Sequence, residues 1–295
     1  MIAAARTSAP VGPPGRLFVF GMGYTARTLA GQLRAGGWTI RGTGGSGDIA
    51  FDDEAEVCAA LSDATHVLSS VPPDRAGSDP VLARYGDALA AARAQWAGYL
   101  SSTGVYGDTG GAWVDETAEI GRGRRTARAA ADEAWQALRA DMRVFRLPGI
   151  YGPGRSPLDR VRSGAAHRID LPAQVFSRVH VEDIASAIAA SFAGPAGVYN
   201  VADNLPASQN TVIEEACRLL QMPVPPLQSL DEAGLSPMAR AFYAENRRVA
   251  NGKARRLLGW RPRYPSFVEG LRALNASTSP PSASTAPVPA RSDQR

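Results

Sequence analysis

Lysine is almost missing from this 295-residue chain: Lys253 is the only one, so any chemistry that needs a lysine elsewhere is excluded by counting. Cysteine is nearly as scarce. Cys58 and Cys217 are the only two thiols and make no CxxC pair, which argues against a disulfide framework or a cysteine-held metal and fits a reducing, cytoplasmic setting. His66, His167 and His180 show no metal-ligand spacing with one another or with a carboxylate cluster, so no metal site is expected. No stretch approaches the roughly 18 uninterrupted apolar residues that a membrane span needs, and the first 15 residues lack the basic-then-apolar order of a secretory signal. A dominant charge is lacking too. With 32 basic against 28 acidic residues the net charge is only +4, the arginines are scattered, and no basic block offers itself to nucleic acid.

What is present reads as a folded protein, with 44% hydrophobic and 20% charged residues. Apolar runs at 17–20, 38–41, 66–70, 98–102 and 143–147 alternate with helical patterns at 24–35, 81–95 and 124–139. Such alternation predicts parallel strands with crossover helices on both faces, a doubly wound α/β sheet of the Rossmann type. After residue 152 the pieces shorten: helices at 183–192, 209–220 and 267–274, a strand at 197–201, and a loop at 224–236. The division expected is a Rossmann domain over 16–152 with later segments returning to it, and a smaller C-terminal α/β substrate lobe over 153–275. Residues 1–15 and the Ser/Thr/Pro/Ala-rich 276–295 are expected to be disordered.

The sequence GMGYTA at 21–26 follows the first strand and opens the first helix. This is G-x-G-x-x-A. Gly21 permits the tight turn, Gly23 lets the backbone approach a pyrophosphate, and Ala26 lets helix and strand pack closely. The helix start then offers free N–H groups and a positive dipole end to the phosphates. Gly21, Met22, Gly23, Tyr24 and Thr25 are therefore the expected cofactor-binding stretch. Ligands of such sheets lie at the carboxyl ends of strands, which adds Ser69, Val71, Ser101 and Pro148. The second strand ends RGTGGS (41–46) with no acid before Asp48; Arg41 and Thr43 there favour a 2′-phosphate, hence NADP over NAD, although a water-facing Arg41 reads equally well.

YLSSTGVYG (99–107), RLPGIYGPGR (146–155), VHVEDI (179–184), GVYNV (197–201) and KARRLLGW (253–260) follow in that order. Together they resemble the extended short-chain dehydrogenases/reductases, the group of nucleotide-sugar epimerases and dehydratases, over nearly all of 16–274. The resemblance implies an NAD(P)-binding domain and a substrate lobe. It also implies Ser102 in the position of the family's catalytic Ser/Thr, and Arg155 and Arg178 near the substrate cleft, holding a nucleotide-sugar phosphate or making surface salt bridges; Tyr106 is a substrate-side candidate that the Val-Tyr-Gly turn more often makes a packing residue. Those enzymes pair a tyrosine with a lysine four residues later on the next helix. Here no tyrosine lies between Tyr106 and Tyr151, and the helix reads RRTAR at 124–128. The chain looks like an atypical sub-group lacking both residues. Arg124 and Arg128, one turn apart, are anion holders or a solvated helix face. Two readings follow: an oxidoreductase or epimerase-like enzyme with a degenerate site, acting on a small molecule as monomer or homodimer, or a non-catalytic dinucleotide sensor or scaffold.

Overall fold

The alternation of buried runs and amphipathic segments becomes an alternation of strands and helices in the computed structural model, which describes residues 13–278 apart from 75, 122, 124 and 125, and of 238 and 239 the backbone only. The first half runs β1 (Arg16–Phe20), α1 (Tyr24–Ala35), β2 (Thr39–Gly42), α2 (Glu54–Asp63), β3 (His66–Ser69), α3 (Pro80–Ala91) and β4 (Trp96–Ser102). A 3-10 turn over Thr103–Tyr106 leads to β5 (Trp113–Val114), α4 (Thr126–Leu138), β6 (Met142–Leu147), β7 (Gly149–Tyr151), α5 (Pro157–Arg162) and β8 (Arg168–Ile169). The chain then forms β9 (Arg178–His180), α6 (Val181–Ala190), β10 (Gly197–Asn200), α7 (Gln209–Leu220) and β11 (Leu227–Gln228). It closes with α8 (Pro237–Phe242), β12 (Arg248–Val249), α9 (Gly252–Leu257) and α10 (Phe267–Thr278).

Six parallel strands make the central sheet in the order β10-β6-β4-β3-β1-β2. Its middle strands are apolar on both faces because helices cover both. On one side α1 and α6 pack over Leu17, Val19, Trp96, Phe145 and Tyr199. On the other, α2, α3 and α4 cover Phe18, Phe20, Val67, Tyr99 and Val144. A separate core of Leu158, Val212, Ile213, Phe267 and Leu271 joins α5, α7 and α10. The sheet is completed by β10, from residues 197–200, registered on β6. Strand order reverses between β1 and β3, so the carboxyl ends of those two strands open a crevice.

Several segments differ from expectation. Helix α2 was not foreseen, although Asp53 caps it through the Glu56 N–H at 3.0 Å and Val57, Ala60 and Leu61 share its buried face. Helix α3 stops at Ala91, four residues early, to free Trp96 and Ala97 for β4. Helix α10 extends to Thr278, so 276–278 are ordered; 1–12 and 279–295 lie outside the described residues. None of the described helices is long and apolar enough to cross a membrane.

A buried polar network ties the sheet to α4. Arg146 of β6 grips Asp132 of α4 with two hydrogen bonds, at 2.8 and 3.1 Å, and its third nitrogen donates to the Tyr106 hydroxyl at 3.1 Å. Tyr106 donates in turn to Asn200 Oδ1 at 2.8 Å. With the Asp132 side chain fully buried and that of Arg146 4% exposed, neither ion has water to fall back on. Asp132→Ala is therefore expected to cost about 3–5 kcal/mol, because it strands a buried guanidinium. Urea unfolding checks this; a loss below about 1 kcal/mol, the range of surface pairs, contradicts it.

Candidate functional site

The crevice begins at the turn after β1. Gly21 adopts φ +84°, and a side chain there would run into Val71 Cγ2 and Ser70 Oγ. The Ser70 hydroxyl donates to Gly21 O at 2.5 Å, so the ends of β1 and β3 are stitched together. Inside the turn, Met22 N–H donates to Thr43 O and Gly23 N–H to Gly21 O, both at 2.7 Å. Those two amides are spent. The N–H groups of the first turn of α1, from Tyr24 onward, have no intrahelical acceptor. Gly23 at the cap supplies none, and no acidic residue stands in that turn. A Cβ on Gly23 would meet nothing in the protein closer than 4.0 Å; the space it would fill is the cleft itself.

That cleft holds about 460 Å³ and runs from Gly23, Tyr24 and Thr25, past Ser70 and Pro72, to Ser101, Ser102, Thr103, Arg128 and Pro148. Its opposite wall is Phe176, Ser177, Phe242, Glu245, Arg247 and Val249. A neighbouring hollow of about 580 Å³ shares Gly149, Ile150, Arg155, Phe176 and Phe242 with it and adds Arg160, Arg178 and Gln209. The two have the size of ligand sites.

Of the expected residues, Gly23, Tyr24, Thr25, Ser101, Ser102, Pro148 and Arg155 line the main cleft. Ser102 caps the 3-10 turn by accepting from Gly104 N–H at 3.1 Å, which leaves its own O–H to donate. Ser101 faces the cleft but donates to Asp132 at 2.5 Å. Arg155 sits over the Tyr24 ring, 5.9 Å from its centroid, at the amino end of α1.

Among the described residues, the remaining expected ones do not line the main cleft. Ser69 is fully buried, and the cleft is lined by Ser70, one residue past the strand end. Val71 braces Gly21 instead of facing the cleft, while Met22 and Thr43 are buried, with Thr43 supporting the loop through its O and Oγ1. Tyr106, 2% exposed, belongs to the Arg146 network and not to a substrate surface. Arg178 is buried, and its guanidinium holds the carbonyls of Phe176 and Ala207 at 2.9 and 2.8 Å; burial pushes it down to about 10. Arg41 is drawn onto Asp48 at 2.8 Å and Glu56 at 2.5 Å. Burial opposes ionisation of Asp48, but hydrogen bonds from Arg41 and the Gly42 N–H outweigh it and hold the carboxyl below its usual range. Arg41 is thus shared between two partly exposed carboxylates at the end of β2. Arg124 lies outside the described residues.

Sequence reasoning gave too little weight to Arg128. It stands one turn before Asp132 on α4 and lines the cleft. Glu245 was missed; it is buried, lines the cleft, and pairs with Arg247 at 2.9 Å. No local pattern marks it. His180 is no base here: its Nδ1 accepts from Glu182 N–H at 3.2 Å, and burial pushes it down to about 4. Among the described residues no His/Cys/Asp/Glu group of three or more could hold a metal.

No family model matches the chain. Among curated proteins it is 23% identical to Protein YeeZ of Escherichia coli over 282 residues, 85% of this chain and 96% of that one. It is also 32% identical to a Streptomyces 3-diazoavenalumate denitrifying reductase, but over 143 residues, 43% and 45% of the two chains. The fold is shared with the human epimerase family protein SDR39U1 solved with NADPH (TM-score 0.70, 18% identity, 88% and 99% covered). It is shared equally with MoeE5 solved with UDP-glucose and NAD (0.71, 20%, 89% and 98%). The fold, a six-stranded parallel sheet covered by helices on both faces, is thus the one these structures share. Within it, the chain belongs to the same family as a functionally unknown conserved protein of Silicibacter pomeroyi, at 45% identity over 89% of this chain and 99% of that one, with a TM-score of 0.78.

The vacant side of Gly23 yields a test. Gly23→Asp places a carboxylate against the open amides and is expected to weaken binding of a dinucleotide at least a hundredfold in a calorimetric titration. Unchanged affinity would mean that the turn holds no phosphate.

Proposed function

We propose that the protein binds a nicotinamide dinucleotide across the crevice and acts as an oxidoreductase or epimerase-like enzyme on a small molecule, a nucleotide sugar being the first class to test. One observation carries this reading: the amino end of α1, with open amides and an empty Cβ direction at Gly23, faces the same cleft as the Ser102 hydroxyl. The residues fit such a cofactor. The amides at Tyr24 and Thr25 would hold its diphosphate, with Arg155 beside them adding a positive charge. When bound, the cofactor supplies a hydride donor or acceptor. Ser102, accepting one hydrogen bond from the Gly104 N–H and with its own proton free, would donate to a substrate oxygen and fix the reacting carbon. The titratable side chains that line the cleft include Tyr24 and Glu245; the Tyr24 hydroxyl donates to Pro153 O at 3.1 Å, and burial, opposed by Arg155, raises its pKa. Neither reproduces a tyrosine with a lysine one turn away. Proton movement in this reading uses solvent or the substrate itself. A curated relative matched over 43% of this chain is named a reductase, which supports a redox reading. The two cysteines, neither in a disulfide, suit the cytoplasm.

The missing tyrosine–lysine pair favours a second reading, a dinucleotide sensor without turnover. The two separate in one experiment. With 4-deuterated NADH or NADPH and a panel of nucleotide sugars, deuterium should appear in a product, and Ser102→Ala should slow transfer about a hundredfold or more. A bound cofactor that keeps its deuterium across the panel would select the sensor.

The edge of β2 reads the adenosine ribose in this proposal. With Arg41 neutralised by Asp48 and Glu56, the unphosphorylated cofactor is favoured. Replacing both acids, Asp48→Asn with Glu56→Gln, should free Arg41 and tighten NADPH relative to NADH by about tenfold, near 1.4 kcal/mol. An unchanged ratio of dissociation constants would place the 2′ position elsewhere.

A further inference from the structure

Arg128 lies close enough to the buried Tyr99 hydroxyl for its charge to favour the phenolate, against the larger opposing effect of burial, and it also reaches the cleft. It lies in the first turn of α4, on the helix that packs over β4 and the 3-10 turn, and lines the cleft together with Ser102 and Thr103. Four residues later on the same helix, Asp132 accepts from Ser101, which fixes this part of α4 above the carboxyl end of β4. The other arginine of the opposite wall, Arg247, is matched by Glu245 at 2.9 Å. Arg155 stands at the far end, over Tyr24. Among the described residues, no carboxylate forms an ion pair with Arg128. A guanidinium keeps its proton, so it cannot serve as the missing acid or base; what it does well is grip a planar oxyanion with two parallel N–H groups.

We infer that Arg128 determines specificity by holding an anionic group of the substrate beside the reacting carbon, and that this group is a carboxylate. The proposal rests on the dinucleotide reading above only in placing the reaction centre at Ser102. The neighbourhood fits an organic acid. Ser102 and Thr103 line the same cleft as Arg128, and Phe176, Phe242 and Val249 provide an apolar wall for the body of the molecule. Phe242 is stacked on Phe176 with centroids 4.4 Å apart, a ready surface for an extended apolar or aromatic group. A phosphate ester would use the same guanidinium, but its bulk and second charge suit a site with more than one unpaired cation.

The test uses three probes of one shape: benzoate, phenyl phosphate and benzamide. Each is titrated into the full-length protein with and without saturating NADH, for the natural chain, Arg128→Gln and Arg128→Lys. Benzoate should bind the natural chain, lose about tenfold or more in Arg128→Gln and regain part of that in Arg128→Lys, while benzamide is indifferent to all three. The assignment is overturned if benzoate does not bind, binds Arg128→Gln as well, or binds no better than benzamide. Tighter, Arg128-dependent binding of phenyl phosphate would overturn the carboxylate in favour of a phosphate. Loss of NADH affinity in Arg128→Gln equal to the loss of benzoate would give the residue to the cofactor instead. Should NADH fail to bind while benzoate keeps its Arg128 dependence, the dinucleotide reading falls and this one stands.

Discussion

The constraint on which the site depends is the donor balance at the start of α1. An α-helix begins with N–H groups that its own carbonyls cannot reach. Most helices here solve this with a side chain: Asp53 caps α2, Asp79 caps α3, Ser156 caps α5, and Ser208 caps α7. Helix α1 begins at Gly23 with no side chain to offer. The preceding amides, of Met22 and Gly23, are consumed by Thr43 and Gly21 so that the turn itself is rigid. Rigid supports and open donors together are what an anion site requires, because the donors lose nothing by being fixed before the ligand arrives.

At the other end of the cleft α4 presents Arg128, and the interior behind it is filled by Asp132, Arg146 and Tyr106. That network is closed: each acceptor has its donor, and the tyrosine is committed to Asn200. It stiffens the carboxyl ends of β4 and β6 without supplying a titrating group to the cleft. Positioning, by Ser102 and by the fixed walls, is what remains for the protein to contribute.

The fold was legible because hydrophobic period and turn residues are local. The strand–GMGYTA–helix order and the apolar runs at 17–20 and 143–147 needed no tertiary knowledge. The site was legible only where the backbone makes it. Ser69 and Ser70 are neighbours in sequence, but the strand ends between them, and one residue decides burial against access. Tyr106 and Arg178 look available in a linear motif; their partners, Arg146 with Asn200 and the carbonyls of Ala207 and Ser208, come from 29 to 94 residues away. Arg41 looked free because Glu56 is fifteen residues on, across a loop and into a helix with a weak signal. Glu245 carried no signal at all, since only the return of the chain from α8 toward β12 brings it to the cleft.

The measurement that bears most directly on this account is a crystal structure of the protein with NADH or NADPH. The account predicts diphosphate oxygens within about 3 Å of the Tyr24 and Thr25 amides and the nicotinamide ring beside Ser102. A dinucleotide bound elsewhere, or a crevice without it at saturating concentration, would contradict the account.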